Sequence, residues 1–138
     1  MKLLRLFTIA FCISAFITGS LKCQVLIGMS EDEIIEYMEE KNPDYVLNTG
    51  FGATANTVKF YNADKDRTWI FFLDDKGICK YSKFIFDIVE FDKTVAALDK
   101  VYTKNGELEW SLKKDSEKYI LKIEKTAWMF NIVTLKAD

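Results

Sequence analysis

The sequence predicts an α+β fold. It reads as a two-layer sandwich with an antiparallel sheet of about six strands and two helices on one face. Three observations predict it. Two segments carry apolar residues at helical spacing, one after Ser30 and one after Asp92. Each is followed by three runs that alternate or are continuously apolar, so the order is α-β-β-β-α-β-β-β. The connections between successive strands are short, which makes their neighbours antiparallel.

The elements follow in order. Ser30 and Glu33 stand at capping-box spacing, and Met29 and Ile34 occupy the staple positions on either side. Glu31, Asp32 and Glu33 put negative charge at the positive end of that helix. Ile34, Ile35 and Met38 form its apolar face, and Pro43 stops it near Asn42. Tyr45-Val46-Leu47 suits a short strand, and 49–56 is a glycine-containing loop. Strands are expected over Thr57–Tyr61, Arg67–Asp74 and Ile78–Asp87, with a turn at Asp75-Lys76-Gly77. Asp92 is placed to cap the second helix. Its stripe is Val95, Leu98, Val101 and Tyr102, and Asn105-Gly106 is its stop. In Glu107–Lys113, Leu108, Trp110 and Leu112 face one way. Asp115-Ser116 is a turn, and Tyr119–Glu124 and Ala127–Leu135 complete the sheet.

The chain opens as an exported protein does. Lys2 and Arg5 precede an uncharged apolar run, Leu6–Ile17, which ends at Thr18-Gly19-Ser20. The expected organisation is a signal peptide over 1–23 and a single α+β domain over 24–138. Cleavage after Ser20 and after Cys23 both fit, and only the first keeps Cys23 available to Cys79. A lipid-modified Cys23 is disfavoured by Lys22 directly before it. Loss of 1–23 removes three of 19 basic residues and no acid, leaving 16 against 21 acidic and a net charge of −5. That balance argues against nucleic-acid and anionic-membrane partners. The expected location is the periplasm, the cell surface or the medium of a bacterium, with no membrane insertion after processing.

Gly28-Met29-Ser30 followed by an acidic helix resembles the Gly-Met-[Ser/Thr]-x-x-[Glu/Gln]-[Val/Ile] opening of small exported proteins of the SmpA/OmlA and β-lactamase-inhibitor-protein type. The resemblance implies helices packed on an antiparallel sheet and binding to other proteins rather than catalysis. The whole chain also resembles small secreted proteins of Gram-negative bacteria.

Candidate chemistry is sparse. The chain has no histidine, so it lacks a Ser-His-Asp or Cys-His apparatus and an imidazole metal ligand. Asn62, Asp64 and Asp66 alternate as in a calcium loop, but Arg67 and Leu73 fall where the loop needs Gly and Glu. A polar hairpin turn is the expected role, with no metal. Cys79 suits a half-buried strand. Gly50-Phe51-Gly52 lacks the third glycine and parallel context of a dinucleotide loop. The acids Glu31 to Glu40 read as a solvated helix face. No cofactor and no enzymatic activity are expected.

The aromatic content points further. Seventeen aromatic residues follow position 23. Strand Arg67–Asp74 places Trp69, Phe71 and Leu73 on one face and Ile70 and Phe72 on the other. Helices lying on one side cover only one of these. The expected function is therefore non-enzymatic binding of another envelope or secreted protein through a free aromatic sheet face. Trp69 and Phe71 are the expected contact residues, because indole tolerates water while offering a large area. The alternative is a small-ligand or envelope-component binder with a pocket between the sheet and the 49–56 loop.

Overall fold

A computed structural model describes residues 25–49 and 56–138. The expected export segment, its cleavage positions and Gly50-Phe51-Gly52 lie outside these residues. Val25 and Leu26 are both buried. The Lys114 ammonium donates to the Val25 carbonyl at 3.0 Å. Gly28 N–H donates to the Cys79 carbonyl, and Cys79 N–H to that of Met29, each at 2.8 Å. Gly28 makes the turn between them at φ +92°, a conformation open to glycine at little cost.

Helix α1 (Glu31–Lys41) begins at the expected capping box. Ser30 Oγ accepts from Glu33 N–H at 3.3 Å, and Glu33 Oε2 accepts from Ser30 N–H at 3.4 Å. Two orphan donors of the first turn are thereby satisfied. Ile34 and Met38 are fully buried, and the helix ends at Asn42, just before Pro43. Strands β1 (Val46–Leu47), β2 (Thr57–Asn62), β3 (Arg67–Leu73) and β4 (Cys79–Asp87) follow as an antiparallel meander. Between β3 and β4, Asp74 Oδ1 accepts from the N–H groups of Lys76 and Ile78 at 2.8 and 3.0 Å. These bonds hold its carboxyl below the usual range, and Gly77 turns the chain at φ +76°.

The second half repeats this plan. A 3-10 turn, Ile88–Glu90, leads into α2 (Phe91–Val101), and then come β5 (Thr103–Gly106), β6 (Glu109–Lys114), β7 (Glu117–Lys125) and β8 (Met129–Lys136). Asp115 and Ser116 both have positive φ, 52° and 67°, as a two-residue hairpin with matching twist requires. The expectation for α2 needs correction. Asp87, not Asp92, caps this region, accepting from Val89 N–H at 2.9 Å. Asp92 already lies inside α2, and Asn105-Gly106 belongs to β5 rather than to a helix stop. Val101, expected in the buried stripe, is 55% exposed.

Among the described residues all the strands form one antiparallel sheet in the order β1-β2-β3-β4-β8-β7-β6-β5. It has eight strands rather than about six. The added strands are the edges: β1 has two residues, and β5 has four, all exposed. β1 falls within the short strand expected at Tyr45-Val46-Leu47, whereas β5 carries no hydrophobic alternation that a sequence could display, and a short polar edge of that kind also discourages pairing with other chains. The halves meet where β4 pairs with β8, from Tyr81↔Leu135 to Asp87↔Met129.

Two hydrophobic clusters lie on the same side of this sheet. Ile34 and Met38 of α1 pack with Val58, Phe60, Trp69 and Phe71. Leu98 of α2 packs with Phe86, Trp110, Leu121, Phe130 and Ile132. Phe84 touches both clusters and joins them.

Candidate binding face

Period-two alternation gives each strand one side under the helices and one side away from them. On β3 the buried positions are Trp69, Phe71 and Leu73, and the half-buried ones are Thr68, Ile70 and Phe72. Trp69 is only 5% exposed and Phe71 is fully buried. The expectation that these two form an exposed contact surface is corrected. Trp69 stacks on Phe84 at 4.6 Å between ring centroids and on Phe71 at 5.2 Å, and meets the Tyr45 ring edge-on at 6.2 Å. Its area is consumed inside the α1 cluster, where burial of a large ring stabilises most. Among the described residues no helix lies on the other side of the strand, so Ile70 and Phe72 take the place that Trp69 and Phe71 were assigned.

The pairing register resolves this free face into rows that run across the strands. One row is Thr57, Phe72, Tyr81, Leu135, Ile120 and Ser111. Its four central members are apolar or aromatic and half-buried. Phe72 and Tyr81 stack at 4.3 Å with their planes 11° apart. With strands about 4.8 Å apart, the apolar stretch from Phe72 to Ile120 is about 14 Å long. The adjacent row is Lys59, Ile70, Lys83, Val133, Lys122 and Glu109. Val133 is 8% exposed although no helix of the described residues covers it, flanked in register by the long stems of Lys83 and Lys122. The third row runs Val46, Tyr61, Thr68, Ile85, Asn131 and Glu124.

Charge on this face is mostly lysine. Lys83 reaches Glu124 at 4.0 Å and Lys122 reaches Glu109 at 3.8 Å, both long and solvent-exposed. Such pairs hold their charges loosely. Lys113 and Lys118 stand directly opposite one another beyond the aromatic row. The helix layer has the opposite sign: Glu31, Asp32, Glu33, Glu36, Glu39 and Glu40 are all exposed on α1, as a solvated face should be.

A smaller apolar patch sits at one end of the sheet. Ile88 N–H donates to the Trp128 carbonyl at 3.1 Å, which ties the 3-10 turn to the β7–β8 turn. There Val89 is 83% and Trp128 81% exposed. Neither residue was singled out from the sequence. Both sit in connections, where periodicity gives no sign of burial.

The remaining candidates are structural. Asn62 is buried, and its Oδ1 accepts from Lys65 N–H at 3.2 Å. Asp66 accepts from the Tyr61 hydroxyl at 3.1 Å and sits at φ 49°. These oxygens are spent on the β2–β3 turn. Cys79 is buried, and desolvation pushes its thiol up to about 11, away from nucleophilic reactivity. Among the described residues no helix is long and apolar enough to cross a membrane. The chain matches no family model, no curated protein and no solved structure.

Proposed function

We propose that this chain is an exported, non-enzymatic protein that binds another envelope or secreted protein through the helix-free side of its sheet. The observation that carries this reading is the stacked pair Phe72–Tyr81, half-buried on a face that no helix of the described residues covers. Beside it lie Ile70, Leu135 and Ile120, so the apolar area is continuous across four strands. Contiguous aromatic and aliphatic surface of this kind, rimmed by polar side chains, marks interaction sites. Export is supported by the basic start and the apolar run Leu6–Ile17. The resemblance of Gly28-Met29-Ser30 and its acidic helix is to proteins that bind proteins.

The test is capture from an envelope extract of the source cells by wild type and by the double variant Phe72→Ala, Tyr81→Ala. Loss of a captured protein by at least about tenfold is expected, as for a central aromatic anchor. Equal capture by a variant that retains its circular dichroism spectrum overturns the reading. A native mass spectrum showing a bound small molecule would favour the ligand-binding alternative.

A further inference from the structure

From the row arrangement we infer that the partner is an acidic protein, presenting an apolar strip rimmed by carboxylates. This rests on the binding-face reading above and specifies its chemistry. The apolar row Phe72–Tyr81–Leu135–Ile120 has lysines on both sides. On one side Lys59, Lys83 and Lys122 recur on every second strand, roughly 10 Å apart at the usual strand spacing. On the other side Lys113 and Lys118 face each other in register.

Like charges directly opposite in a sheet destabilise it. Among the described residues neither Lys113 nor Lys118 has a salt-bridge partner. A carboxylate placed between them relieves that repulsion. Lys83 and Lys122 stand two strands apart on either side of Val133, and their pairs with Glu124 and Glu109 are long and leave both amines open to a further carboxylate. This distribution is local, since the chain as a whole is acidic. Its field therefore steers acidic surfaces to this one face, while α1 repels them. The apolar row between the lysines favours a protein over a polyanion, because phosphates alone would leave Phe72, Leu135 and Ile120 in contact with water.

The test is zero-length carbodiimide cross-linking, which joins lysine amines to carboxylates, in envelope extract with and without nuclease treatment. Two variants accompany wild type: Phe72→Ala/Tyr81→Ala, and Lys83→Gln/Lys113→Gln/Lys118→Gln/Lys122→Gln. Cross-links from these lysines to Asp or Glu residues of one protein are expected, with capture at least tenfold weaker for the lysine variant and weakened by added salt. If only the aromatic variant loses capture, the face binds a partner that is not acidic, and this inference fails while the binding reading stands. If neither variant matters, or wild type captures nothing, both fail. Cross-links only to Glu31–Glu40 of a second copy identify self-association and overturn the inference. Loss of binding on nuclease treatment overturns it in favour of nucleic acid.

Discussion

Arg67 and Glu90, 23 residues apart, form a two-bonded ion pair: Nη2 to Oε1 at 2.6 Å and Nε to Oε2 at 3.2 Å. The guanidinium lies 4.8 Å from the centre of the Phe86 ring and also hydrogen-bonds Tyr45. The pair joins β3 in the first half to the 3-10 turn that opens the second. Both side chains are mostly withdrawn from water, at 17% and 23% exposure. That geometry makes this pair worth more than the exposed ion pairs on the free face.

Removing one partner should therefore be costly. Glu90→Gln is expected to destabilise by about 1–3 kcal/mol, between the surface and fully buried regimes. Arg67→Met with Glu90→Gln should recover part of this loss. A double-mutant cycle in denaturant melts measures the coupling. A coupling near zero would show that the pair does not tie the two halves together.

Ser30→Ala is expected to cost about 1 kcal/mol, because the cap bond to Glu33 N–H disappears. Glu33→Ala should cost less, since it removes only the reciprocal bond. Equilibrium unfolding in urea checks both.

Asp99 supplies a pH-dependent contribution. Its Oδ1 accepts from the Trp110 indole N–H at 2.9 Å and lies 3.3 Å from Lys104 Nζ. The Trp110 bond first, and Lys104 second, hold its carboxyl below the ordinary value. A carboxyl lowered on folding stabilises above its unfolded value, and the contribution is lost as pH falls through the folded one. Acid unfolding of Asp99→Asn should therefore fall away less steeply below the ordinary carboxylate range than that of wild type. Parallel curves for the two proteins would contradict this.

The indoles divide into two environments. Trp69→Ala is expected to destabilise by about 3–5 kcal/mol, as for a large buried ring. Trp128→Ala, at an 81% exposed site, should stay within about 0.5 kcal/mol. Acrylamide quenching supplies an independent check. Wild-type emission should show one accessible component, and Trp128→Phe should abolish it.

The capping box at Ser30, the helix stop before Pro43 and the turns at Gly77 and Asp115-Ser116 were legible in the sequence alone. Each is a local device whose partners lie within about four residues, so spacing and residue type determine it. The alternation of β3 was equally legible, with Trp69 and Phe71 opposite Ile70 and Phe72. Only the tertiary structure decided which of those sides faces the helices. Alternation defines two faces and assigns neither to the core; the packing of Ile34 and Met38 against Trp69 and Phe71 does that. The same limit applies to the lysine rows. Lys59, Lys83 and Lys122 are scattered along the chain and become neighbours in a row only through the register of β2, β3, β4, β8 and β7. That register depends on β4 pairing with β8, a contact between residues about fifty positions apart that no local pattern encodes.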